Sequence, residues 1–137
     1  MNRNDLKTVA EVRLKEAKAL LNQKYYDGAY YLTGYAVECA LKSCIAKKTK
    51  RHDFPDRKLV LDSYTHDLTQ LIKVSGLKAA LDLETSRDRD FDVNWAIVKD
   101  WSEASRYERH DAAAAKRIYA AVENNKHGVL RWLQRHW

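Results

Sequence analysis

Tyr30-Tyr31-Leu32-Thr33-Gly34-Tyr35-Ala36-Val37-Glu38-Cys39-Ala40-Leu41-Lys42 is apolar on nearly every face and carries one carboxylate, Glu38, in its middle. A helix that is apolar all round is buried all round. A carboxylate inside such a helix must be paired, hydrogen-bonded or neutralised, because an isolated buried charge is strongly unfavourable. The stretch therefore predicts the central helix of a small helical protein, with Glu38 bound to an internal partner.

The rest of the chain agrees with that centre. Its 137 residues suffice for a single domain, 1–137, with a real core. One Pro and four Gly leave little room for a turn-rich all-β design. No apolar run is long enough for a bilayer span. Met1-Asn2-Arg3-Asn4-Asp5 lacks the apolar core of a signal peptide, so a cytoplasmic protein with no membrane contact is expected. The net charge of +6 permits an anionic partner without demanding one. Cys39 and Cys44 stand five apart on one predicted helix and point to different faces, so no disulfide and no metal site is expected of them.

Working outward, Leu6, Ala10, Leu14, Ala17 and Leu21 form one amphipathic stripe, capped by Asn4 or Asp5 and ending near Asn22-Gln23. Asp27 and Gly28 open the second helix, which runs to about Lys48. Its basic cluster, Lys47, Lys48, Lys50 and Arg51, complements the helix dipole or, on the other reading, binds phosphate. Residues 49–63 read as a loop. Thr65 reads as the cap of a short helix that Gly76 closes. Leu77, Ala80, Leu81 and Leu83 suggest another helical piece, and Thr85–Asp90 a solvated loop. Asp92 is the expected cap of a helix with Trp95, Val98, Trp101 and Ser105 on one face. Asp111 caps one long last helix with its seam at Ala115, Ile118, Val122, Asn125, Val129 and Trp132. Gly128 weakens that helix locally or admits another backbone. The sum predicts an all-α protein, an antiparallel up-and-down bundle of four main helices plus short ones.

No complete catalytic pattern, metal pair or phosphate loop is present. The candidate site is Arg106-Tyr107-Glu108-Arg109-His110-Asp111, just before the last helix. A helix start offers free N–H groups, an Arg clamps phosphate by two hydrogen bonds, His110 can exchange a proton, and Tyr107 can stack. The competing reading is a polar turn with Arg106 paired to a carboxylate. Glu38 is expected to pair with Arg106 or His66 as a structural buried polar group, and His66 either supports that pairing or contributes to ligand binding. Arg131 and His136 do not share a helical face and are expected to be solvated or at a dimer edge. Val129-Leu130-Arg131-Trp132-Leu133 has apolar residues on more than one face, which predicts a homodimer.

Tyr26–Lys42, then His66-Asp67-Leu68, then Arg106-Tyr107 ahead of a long helix, resembles a HEPN domain across residues 5 to 135. The resemblance implies an antiparallel helical bundle, usually a homodimer, that needs no cofactor and no metal. It implies a nucleotide- or phosphate-binding module using Arg106, Tyr107, Arg109 and His66, with a nucleotidyltransferase as possible partner. A second implied activity is a metal-independent endoribonuclease, a toxin or defence effector acting on RNA, with His110 as acid/base and Arg106 beside it. Nuclease members space that Arg and His slightly wider than the three residues between Arg106 and His110. Arg106-Tyr107 is similar to the nucleotidyltransferase-associated branch. A third reading is a non-catalytic interaction adaptor.

Overall fold

The computed structural model describes residues 1–49, 54 and 56–137. Lys50, Arg51 and Pro55 lie outside the described residues. Among those described, every regular element is helical: α1 (Arg3–Asn22), α2 (Tyr26–Lys48), α3 (Arg57–Asp62), α4 (Leu68–Ser75), α5 (Lys78–Arg87), α6 (Arg89–Val98), a 3-10 turn (Glu103–Tyr107), α7 (Ala112–Glu123) and α8 (Val129–Gln134). The protein is the all-α helical bundle that its periodicity predicts.

The first helix begins two or three residues earlier than Asn4 or Asp5 would place it. Asn2 is the cap, its side chain accepting from Asp5 N at 2.8 Å while the Asp5 carboxylate accepts from Asn2 N at 3.1 Å. Two otherwise unsatisfied N–H groups are met reciprocally. At the other end Lys24 adopts a left-handed φ of 65° and Tyr25 N donates to Leu20 O at 2.9 Å. That reversal sends α2 back along α1.

α2 is the hub. α1, α4, α7, α8 and the 3-10 turn all pack on it. From Ala29 to Ile45 its buried residues cover the whole circumference, which is why no single apolar stripe is visible in it. Each fully buried large side chain here, such as Val37 or Leu41, contributes about 1.5–3 kcal/mol. Gly34 has a packing role: a methyl group there would overlap the Trp101 indole, which lies directly on the α2 backbone. Tyr31 stacks on that indole with ring centroids 5.9 Å apart.

Several boundaries differ from expectation, each for a local reason. The supposed loop 49–63 contains α3, capped by Asp56 through Lys58 N at 3.0 Å. α3 buries no residue, so it leaves no hydrophobic period to read. Asp67, not Thr65, caps α4. Thr65 supports it from outside by accepting from Asp67 N at 3.1 Å. The charged run Thr85–Asp90 is not a loop: α5 continues to Arg87, α6 starts at Arg89, and Asp88 caps α6 from between them. Asp92, the expected cap, sits inside the first turn of α6. α6 stops at Val98, so Trp101 and Ser105 reach the core from the following segment rather than from its face.

The last long helix is two helices. The Asn124 side chain accepts from Lys126 N and His127 N at 3.0 and 2.9 Å, and Gly128 N donates to Asn124 O. A Cβ on Gly128 would collide with this turn. Asn125 is therefore exposed and does not lie on a seam. The break folds α8 onto α2, α6 and α7. Val129, Leu130, Trp132 and Leu133 are at most 3% exposed within the single chain. The apolar faces that suggested a homodimer are thus covered by the chain itself. Arg131 and His136 are half-buried rather than solvated.

No helix among the described residues is long and apolar enough to cross a membrane.

Candidate functional site

Glu38 is 2% exposed, and its charge is met from two sides. Lys42, one turn on along α2, places Nζ at 3.4 Å, and His66 Nδ1 approaches at 3.0 Å. His66 precedes α4 and is brought over α2 by the packing of that helix. Its other nitrogen, Nε2, faces Glu103 at 3.2 Å, and Glu103 binds Arg106 at 3.2 Å. A ring donating from both nitrogens satisfies both carboxylates. The chain Glu38–His66–Glu103–Arg106 thus links the centre of α2 to the 3-10 turn. Of the two partners expected for Glu38, His66 is the direct one, and Arg106 is three links away.

The second half of the turn is tied to the start of α2. Asp27 accepts from the backbone N–H of His110 at 2.5 Å and holds Arg109 Nε at 2.8 Å. The His110 N–H, with Arg109 in support, holds the Asp27 carboxyl below its ordinary range. The imidazole of His110 stacks on Tyr30, with centroids 3.7 Å apart and planes 10° from parallel. Its Nε2 is covered and has no hydrogen-bond partner, with the Glu108 carboxylate at 3.7 Å. Burial raises the Tyr30 phenol above its ordinary value, with Glu108 adding to the shift.

His66 and Arg106 thus belong to one polar chain, and Arg109 and His110 to another. Tyr107 lies between them, 79% exposed, with the Arg106 guanidinium 4.8 Å from its ring centre. A cleft of about 280 Å³ opens where Lys24, Tyr25, Tyr26 and Asp27 face Arg109 and His110. The Arg109 side chain is 95% exposed at its mouth, and Tyr25 is 64% exposed. A further hollow of about 430 Å³ lies beside His66, Trp101 and Glu103. Chemically, the Arg109 cleft offers one guanidinium held by the Asp27 carboxylate and the open Tyr25 phenol, while the Arg106 guanidinium, held by Glu103, sits over the open Tyr107 ring.

Sequence reasoning missed Lys42 beside Glu38, Lys24 and Tyr25 in the cleft, and three further participants. Asp27 was legible only as a helix-start residue, whereas its role comes from facing the turn 83 positions away. Glu103 and Tyr30 carry no local signal for their pairings. Elsewhere, Asp88, Asp90 and His127 bring potential metal-ligand atoms within 4.8 Å of one another. Asp88 already caps α6 with one oxygen and holds His127 Nδ1 at 2.7 Å with the other, and those bonds clasp the α7–α8 elbow to the α5–α6 junction.

No curated protein and no solved structure matches this chain. A family model described as the HEPN domain matches residues 4–134, nearly the whole length. With the helical hub, the buried Glu38 and the Arg-Tyr turn in place, that match shows that the chain belongs to the HEPN family.

Proposed function

We propose that this HEPN protein is a binding module for a phosphate-bearing ligand, a nucleotide, held at the Arg106–Asp111 turn. The observation that carries the reading is Arg109: a guanidinium 95% exposed, held by a single Asp27 contact, at the mouth of a cleft that also presents Lys24 and Tyr25. A phosphate can replace the Asp27 carboxylate on Arg109 and gain two parallel hydrogen bonds, with Lys24 as a second cation. Tyr25, in the cleft, supplies a flat face for a base, and the exposed Tyr107 two residues from Arg109 is a second candidate. Arg106 steadies Tyr107, and His66 fixes Arg106 through Glu103. The HEPN membership, rather than any apolar face of this chain, supports reading the module as a cytoplasmic homodimer beside a nucleotidyltransferase partner, since the apolar residues of α8 are covered within the single chain.

The ribonuclease reading assigns His110 as general acid/base and Arg106 as the group stabilising the transition state. It requires the His110 ring to leave Tyr30 before Nε2 can meet a substrate proton. That requirement is why binding is preferred.

Calorimetry with ATP and GTP tests the proposal. Binding should weaken by roughly tenfold or more in Arg109→Gln, the loss of a charge-assisted contact. No heat at millimolar nucleotide, or equal affinity in the variant, rejects the site. Chelator-resistant RNA cleavage that disappears in His110→Ala would establish the nuclease reading instead.

A further inference from the structure

The far end of α2 carries a second basic feature that the turn does not use. Asp27 and Lys47 are 20 residues apart on one helix, so this end lies about 30 Å from the turn. A cleft of about 340 Å³ opens there. Its walls are α2 with Cys44, Lys47 and Lys48, the end of α4 and the turn after it with Ser75 and Leu77, and the end of α8 with Arg135 and His136. Among the described residues, no carboxylate lines it.

The lysines are aimed rather than loose. Lys47 Nζ reaches His136 O at 3.5 Å, and Lys48 Nζ reaches Val74 O at 3.1 Å. Adjacent positions on one helix therefore set an ammonium on each facing wall. Among the described residues, each uses one of its three donors on a carbonyl. Gly76, at φ 77°, leaves the space that Lys48 occupies, since a Cβ there would come within 3.3 Å of Nζ.

Three helix C-termini, of α2, α4 and α8, converge on this place, and their carbonyl dipoles disfavour anions. That opposing effect is roughly half a charge per helix, about −1.5 in all. Lys47, Lys48 and Arg135 outweigh it with three full positive charges. His136 feels the same field: burial first, then Lys47 and Arg135, hold its imidazole below the ordinary value. Glu84, the acid whose field reaches His136, is fastened by Arg87 through two hydrogen bonds of 3.0 and 2.7 Å. Burial pushes the Cys44 thiol up to about 11, so the floor is neutral and offers no nucleophile at ordinary pH.

We propose that this cleft is a binding site for a phosphate group, either free or at the end of a nucleic acid strand.

His136 is the reporter, followed by NMR titration of the full-length chain. Millimolar pyrophosphate should raise its pKa by roughly one unit, because a bound anion favours imidazolium. Sodium chloride at matched ionic strength is the control for screening. The shift should vanish in Lys47→Gln/Arg135→Gln and persist in Arg109→Gln, which separates this site from the nucleotide-binding reading of the turn. Both substituted residues are exposed, and Lys48→Gln alone serves as a second variant if the double one misfolds. A 5′-phosphorylated dinucleotide is compared with the same dinucleotide lacking the phosphate. A shift with the phosphorylated strand supports a strand-end ligand, and a shift with pyrophosphate alone supports a free one. No shift beyond the chloride control with any probe, or a shift undiminished in the variants, overturns the proposal.

Discussion

Replacing His66 by Ala tests whether Glu38 is neutralised from inside the molecule. Glu38 is 2% exposed and has two neighbours that meet its carboxylate, the His66 imidazole at 3.0 Å and the Lys42 ammonium at 3.4 Å. Without the imidazole it keeps only the longer contact. A hydrogen bond to a charged group contributes about 1.5–3 kcal/mol. The His66 side chain is 44% exposed, so water enters part of the vacated space and trims the loss. We expect His66→Ala to destabilise the fold by about 1.5–2 kcal/mol, a fall in Tm of roughly 5–9 °C for a chain of this size. Urea unfolding at fixed pH measures the free energy, and thermal unfolding checks it. The same substitution made in a Glu38→Gln background should do much less harm, giving a coupling energy of about 1 kcal/mol. A His66→Ala variant within about 0.5 kcal/mol of the parent, or effects of the two substitutions that simply add, would refute the internal pairing.

Three further outcomes follow from the geometry. Gly34→Ala should displace Trp101 and destabilise the fold by about 1–3 kcal/mol, visible as a changed near-UV signal, and an unaltered Tm and spectrum would contradict the close approach. Asp27 and Asp88 have carboxyls lowered from 3.8, Asp27 chiefly by the His110 N–H and Asp88 by the His127 ring. Their contribution to stability is present above 3.8 and lost as pH falls through the depressed folded values, so Asp27→Asn and Asp88→Asn should each flatten the acid limb of Tm against pH. An acid limb identical to the parent's in both variants would show that these bonds do not form. Cys39 and Cys44, each pushed up to about 11 by burial, should resist thiol reagents at neutral pH and react once urea unfolds the chain. Modification in native buffer at the rate of a free thiol would count against their burial.

The elements legible beforehand were those whose residues face one environment over several turns. The Leu6–Leu21 stripe marked α1, the all-round apolar run marked α2, and Gly76 marked the end of α4. Asp111 was readable as a cap because capping depends on neighbours within three positions, and it does accept from Ala114 N at 2.8 Å. α3 was not legible because none of its residues is fully buried and only Leu59 packs on the core. The α7–α8 break was not, because the repeating apolar pattern continues across Asn124–Gly128 while the backbone turns on a side-chain cap. The Arg106–His110 turn and His66 stood out by residue type and order. Their grouping into two separate polar chains did not, since Glu103, Asp27 and Tyr30 reach them only through the packing of other helices.

By itself the sequence determined that the chain is helical, that α2 is its interior, and that Glu38 needs a partner. Burial period and local capping are short-range, and a chain of letters carries them. Only the tertiary structure decided which partner that is, which carboxylate each guanidinium meets, and where the last helix folds back. Those contacts join residues dozens of positions apart, and their identity depends on how helices cross, which no local pattern encodes.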